Sequence, residues 1–424
     1  MRFSIALTLV LSFVTCAPSS RADVVSLSDA VRLALARNER SKIANLQVVS
    51  AEAAVHRARA GFLPTLSLGA SESLKPIDGA DDRKWTSANG TLTLNQPIVT
   101  VTTFPLYASA KHSYDATRFS EIDQRRQLAS DAARSFFAVI TEQRILVAAQ
   151  SRFDRADATL RDTQARATAG LVSSNDVTRS AVDRASAVQS LATAQSSLER
   201  ARLDLGYVLD LEVSGDLDSP DATLAPFALD VGSLLKLAVS QRPDLLAASR
   251  STMAASASAE EPGLRLVPTV NASAQARVQD QPVVPNSSRY IDSTVTFNLN
   301  WAIWDAGVRD ADSDQRHAAL HTAELQQRAL LRRVQADVRS AVSELVAARA
   351  ALDAAKEGLA QSEKSVEETN VLYKQGLAKA IELVDSNASR FDAEVTLAAA
   401  QLDVRRSELD LRDALGLFPV DGIK

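Results

Sequence analysis

The chain is expected to be mainly α-helical and to be built twice from one unit: helix, strand, strand, long helix, long helix. Three observations lead there. Two distant stretches align without a gap, two runs of sixty-odd residues are almost free of glycine and proline, and four short segments alternate apolar with polar residues. The alternating segments leave two readings open. They are either one chain's share of a membrane β-barrel or a small soluble sheet with one buried face.

The chain has 424 residues, a net charge of −5 and only 5% aromatic residues. No basic cluster offsets the acidic balance, so a nucleic-acid partner is not expected. Abundant alanine suits closely packed helices better than thick apolar cores.

Residues 1–22 read as a secretory signal. Arg2 supplies the charged start, Phe3 to Val14 the apolar stretch, and Ser20-Arg21-Ala22 the cleavage site, which leaves Asp23 as the first mature residue. Lipidation at Cys16 is the rival reading, and Phe13-Val14-Thr15 before it fit a lipoprotein signal poorly. Cleavage at Ala22 removes Cys16, the single cysteine, and with it any disulfide framework. No other segment is long and apolar enough for a membrane helix.

The rest divides into a first repeat, 23–229, and a second, 230–424. Residues 26–70 align with 230–274, placing Val31 on Leu235, Ala34 on Ala238, Pro64 on Pro268 and Leu66 on Val270. "TLTLN" (91–95) falls on "TVTFN" (294–298), and "LDLGYVLD" (203–210) on "LDLRDALG" (409–416). Alanine-rich helices alone would not bring prolines and strands into register.

Strands are expected at about 65–74, 89–99, 267–278 and 291–303. In the fourth, Val295, Phe297, Leu299 and Trp301 alternate with Thr294, Thr296, Asn298 and Asn300. Such lengths suit transmembrane β-strands of about 9–11 residues. Trp301 and Trp304 at the end of the fourth strand, Phe104 and Tyr107 after the second, and Trp85 are candidate membrane-interface aromatics. Two hairpins cannot close a barrel, so a membrane reading requires several chains, with dimer and trimer both possible.

The long helical runs extend from Leu106 to Ala169 and from Val308 to Gln375, the second interrupted only by Gly358. Each would span on the order of 100 Å. Gly170 and Gly376 then permit turns, and second arms return to about Leu205 and Leu415. In the last arm Val384, Ala388, Phe391, Val395, Ala398, Leu402 and Leu409 follow coiled-coil spacing, broken by Arg405. Glu382 and Asp385, beside the turn, are three apart and so share one helix face.

"GFLPTLSL" (61–68), "LRLVPTVNA" (264–272), "RPDL" (242–245) and "YKQGLAKAIELVDS" (373–386), in this order over the whole mature chain, resemble the TolC-like outer-membrane efflux protein family. The resemblance implies a homotrimer with a shared 12-stranded β-barrel in outer-membrane lipid and a periplasmic α-helical tube. It implies further helices near 27–60, 232–256 and the C-terminus around that tube. The function implied is an exit duct of a tripartite efflux or type I secretion system, joined to an inner-membrane pump through a periplasmic adaptor protein.

The family's acidic gate ring falls on Glu382 and Asp385, and its gate latch on Asp176 and Tyr373. A basic family position falls on Ala378, with Lys379 beside it. The hairpin turns at Gly170 and Gly376 are the implied adaptor contact. The alternative is an extracytoplasmic coiled-coil scaffold without a pore.

His317 and His321 have metal-compatible spacing but no third ligand, and read as a surface pair. Asn286-Ser287-Ser288 fits a glycosylation pattern and reads as a turn. No phosphate loop, nucleophile elbow or acid–base pair is visible, so no enzyme, cofactor or resident metal is expected. The transported substrate leaves no trace in the sequence.

Overall fold

The duplication is visible in the element order. The computed structural model describes residues 26–76, 84–215, 217, 230–280, 290–420 and 422; the expected signal segment and Asn286 lie outside them. The first half runs α1 (Leu27–Arg37), α2 (Glu39–Ala60), β1 (Thr65–Pro76), β2 (Lys84–Val99), α3 (Thr103–Thr168) and α4 (Ser174–Leu209). The second runs α5 (Val231–Gln241), α6 (Pro243–Ala259), the short α7 (Glu261–Leu264), β3 (Thr269–Asp280), β4 (Tyr290–Asn300), α8 (Val308–Lys374) and α9 (Ala380–Leu415).

The expected helix over 27–60 is broken at Asn38, which takes an extended conformation and caps α2 by accepting from Arg40 N at 2.9 Å. The helix over 232–256 breaks at Arg242 for a different reason. Pro243 has no N–H to continue α5, and its ring holds Arg242 extended. The expected C-terminal helix is not found among the described residues: α9 ends at Leu415 and a turn follows.

The "RPDL" motif acts as a clamp at this elbow. Arg242 donates to both carboxylate oxygens of Asp244, at 3.0 and 2.6 Å, and to the Ala414 carbonyl at 3.2 Å. Burial pushes the Asp244 carboxyl up, but this bidentate partner outweighs it and holds the group below its ordinary range. Gly416 completes the clamp with φ +79°, and a Cβ there would lie 2.7 Å from the Arg242 Cα.

The long helices α3 and α8, of 66 and 67 residues, would each reach roughly 100 Å. Their large apolar side chains do not form one continuous seam. One core joins α1, α3 and α4 through Val31, Phe136, Leu128, Leu205 and Leu209. A second joins α5, α8 and α9 through Leu234, Val338, Leu345, Leu411 and Leu415. The stripe expected along α9 meets the first core through Leu402 and Leu409, and a second face, Val404 and Leu411, meets the other core. The helix is wedged between α8 and α3, so it buries two faces rather than a single coiled-coil seam.

An ionic cluster sits beside these cores. Arg126, only 4% exposed, donates to Asp123 at 2.7 Å and to Asp413 at 2.8 Å. Asp413 also accepts from Ser130 and Arg134. Burial still leaves its carboxyl above the ordinary range.

Gly416→Ala combines a left-handed backbone with a clash at Arg242. It is expected to lower stability by about 2–4 kcal/mol, read as earlier thermal unfolding of the detergent-extracted protein.

Candidate functional site

The four strands form one antiparallel sheet in the order β1-β2-β3-β4. Pro97 falls where the β2–β3 register shifts, a tolerated place for a residue without an N–H. The pairing sorts side chains by chemistry. Thr65, Asn95, Ser273 and Thr296 form one row, and Ser67, Thr93, Gln275 and Thr294 the next. The other face carries Leu66, Leu94, Ala274 and Val295 in a row, with Leu68, Leu92, Phe297 and Leu299 nearby.

Among the described residues no helix packs on either face, and Phe297 is 70% exposed. Both outer edges, β1 and β4, are left without a strand neighbour among the described residues.

β4 ends at Asn300, short of the expected 303, so Trp301 and Trp304 lie in the connector to α8. Trp301 Nε1 donates to the Leu266 carbonyl at 2.9 Å, fixing the indole at the junction of sheet and helices. Phe62 joins Phe104 and Tyr107 there, with ring centroids 4.9 and 6.1 Å away. Trp85 pairs in the ladder with Lys75 toward the opposite end of β1 and β2. Its side chain lies outside the described residues.

The helical hairpins end in two matching turns. Gly170 and Gly376 have φ +73° and +75°, and the following residue donates back to close each helix: Leu171 N to Arg166 O and Leu377 N to Leu372 O, both at 2.9 Å. Leu171 and Leu377 are each 73% exposed.

Asp176 and Glu382 then occupy equivalent places, three residues into the returning helix. Asp176 Oδ2 accepts from Ser173 N at 3.2 Å, and Ser173 Oγ accepts from Asp176 N at 3.3 Å, a full capping box. Glu382 accepts from Lys379 N at 3.4 Å. Lys379 has no oxygen to return the bond, so α9 starts with half a box.

Glu382 and Asp385 are both exposed on α9. Asp385 also lies near Asp183 of α4. Burial raises the Asp183 carboxyl, Arg152 at 3.6 Å opposes that, and the Asp385 charge adds to the rise. The chain does not bring Asp176 and Tyr373 together. Asp176 is occupied in its cap, while the Tyr373 hydroxyl lies 3.5 Å from Thr163 Oγ1. Ala378 packs with Tyr373, Ala380 and Leu383. Arg166 and Thr163, the neighbours of Tyr373, went unnoticed in the sequence, because no spacing rule connects residues on different hairpins. His321 Nδ1 faces Glu324 at 3.3 Å on an exposed stretch of α8.

The sequence model of the family described as outer membrane efflux protein matches residues 30–209 and 234–417. The chain belongs to the outer membrane efflux protein family. It is similar to the outer membrane protein TolC of Salmonella enteritidis, 24% identical over 383 residues, which span 85% of this chain and 76% of that protein. Its fold matches the Campylobacter jejuni CmeC outer membrane channel with a TM-score of 0.80 at 14% identity, covering 98% and 93% of the two chains. It also matches the open state of the Neisseria gonorrhoeae MtrE outer membrane channel, with a TM-score of 0.78 at 19% identity, covering 95% and 94%.

This efflux protein is therefore an outer-membrane protein of a family of channels. None of its helices, among the described residues, is long and apolar enough to cross a membrane. The strands are the membrane-crossing candidates, since bilayer-facing backbone must be fully paired.

Phe297 and Thr296 are neighbours in β4 that face opposite sides of the sheet. Phe297→Arg is expected to cost roughly 2–4 kcal/mol if placed near the bilayer centre, and Thr296→Arg far less. Urea unfolding after insertion into lipid vesicles measures both.

Proposed function

We propose that three copies of this chain form an exit duct, each giving four strands to a shared 12-stranded barrel and two helical hairpins to a periplasmic tube. The observation that carries this reading is the sheet, apolar on one face, polar on the other and unpaired at both edges. Lipid would cover the first face and the aqueous lumen the second. Neighbouring copies would pair the edges, whose exposed N–H and C=O groups are too costly to leave in hydrocarbon. The repeats 23–229 and 230–424 would each supply one hairpin.

In this reading the duct serves a tripartite efflux or type I secretion system, receiving cargo from an inner-membrane pump through a periplasmic adaptor. The adaptor contact is the pair of turns at Gly170 and Gly376, where Leu171 and Leu377 offer apolar anchors. Trp85, Trp301 and Trp304 would mark the membrane interfaces. Glu382 and Asp385 from each copy form carboxylate rings at the mouth, favouring cations over anions. Asp176 and Tyr373 belong to the latch that holds the mouth closed, with Asp176 Oδ1 free of partners among the described residues to meet a donor from a neighbouring copy.

Membrane fractionation followed by native mass in mild detergent tests the assembly. A trimer in the outer-membrane fraction is the expected result. A water-soluble monomer or dimer would overturn it and place the coiled-coil scaffold first. For the mouth, the pair Glu382→Gln and Asp385→Asn is expected to reduce cation preference several-fold. The measurement is the reversal potential across a bilayer under a salt gradient.

A further inference from the structure

Toward the hairpin turns the two hairpins of one chain adhere weakly. Below the level of Leu146 and Leu402, where the first core stops, and above Leu383 near the turn, the buried apolar side chains described on α3, α4 and α9 are alanines such as Ala149, Ala156, Ala187 and Ala398. Alanine removes little apolar area from water compared with leucine. The charged contacts there are loose as well: Arg155 and Glu394 approach to 3.8 Å, beyond hydrogen-bond reach.

Large buried side chains return only at the tip. Tyr373, at the end of α8, is 5% exposed and reaches into the first hairpin. Its hydroxyl lies 3.5 Å from Thr163 Oγ1, which lies 3.2 Å from Ser180 Oγ; both hydroxyl residues are buried. The Arg166 guanidinium lies 4.6 Å from the centre of the Tyr373 ring, and its Nη1 donates to the Tyr373 carbonyl at 3.4 Å. Its Nε donates to Asp162 at 2.9 Å, which holds the planar group in place over the ring.

We propose that Arg166 is the residue that locks the second hairpin to the first, gripping Tyr373 by ring and carbonyl while Thr163, itself held by Ser180, meets its hydroxyl. Higher up, Arg152 of the first hairpin lies 4.9 Å from the Phe391 ring of the second; the tip contact adds to such a stack a carbonyl bond and buried hydroxyls, which is why the lock is placed there. Lysine cannot replace arginine here, since it keeps the charge but loses the planar stack and the forked donors. That this lock also gates conduction rests on the duct reading above.

The test uses the full-length protein in detergent, with spin labels at Leu171→Cys and Leu377→Cys and dilution by unlabelled copies. Arg166→Ala is expected to lengthen and broaden the distance between the two turns, with Arg166→Lys restoring only part of the native distribution. Thr163→Val checks the hydroxyl contribution without touching the cation. The same variants are then examined for conductance in planar bilayers.

A longer distance with several-fold higher conductance supports both the lock and the gate. A longer distance with unchanged conductance supports the lock and overturns its role as a gate. An unchanged distance in both Arg166→Ala and Thr163→Val overturns the lock, whatever the conductance.

Discussion

The edges of the four-stranded sheet govern the rest of this protein. A strand edge presents a row of unpaired donors and acceptors, and a bilayer offers them no water. Among the described residues the sheet has two such edges, no helix on either face, and opposite chemistry on its two sides. These features are costly for a single chain in isolation and favourable for a closed ring of identical chains. The long helices follow from the same arrangement. Each strand pair feeds directly into a helix of more than sixty residues, so whatever geometry the strands adopt is carried into the tube.

The helical part divides its stability unevenly. Leucine, valine and phenylalanine concentrate at mid-height, where α1 and α5 pack against the long helices. The arginine clamp at Arg242 and the buried Arg126 cluster lie at that level too. Toward the turns alanine replaces them, and polar contacts bear more of the load. A rigid waist and a lightly held end are physically suited to a tube that keeps its shape while its mouth changes. Local opening draws on regions with few buried apolar contacts.

Most of the architecture was legible along the chain. The glycine-free runs and the turn glycines foretold α3, α4, α8 and α9 to within a few residues, because helix length and left-handed turns leave compositional marks. Strand alternation foretold the two faces. The break at Asn38 was missed, since an extended residue inside a helical pattern depends on what it caps, and the break at Arg242 was missed although Pro243 marks it along the chain. The fourth strand was drawn too long because Trp301 continues the alternation but turns away to bond Leu266. On α9 the stripe ending in Leu402 and Leu409 marked one packed face, and the second, at Val404 and Leu411, was missed, because that stripe does not say how many neighbours the helix has.

The sequence by itself determined the duplicated helix and strand order, the turns at Gly170 and Gly376, and the position of Glu382 and Asp385 beside a turn. These are local properties, written in propensity, period and spacing. Only the tertiary structure decided that α9 is wedged between two cores and that Tyr373 docks on Arg166 and Thr163. Those contacts join residues on separate hairpins. Their partners are chosen by how the hairpins pack, which no spacing along the chain encodes.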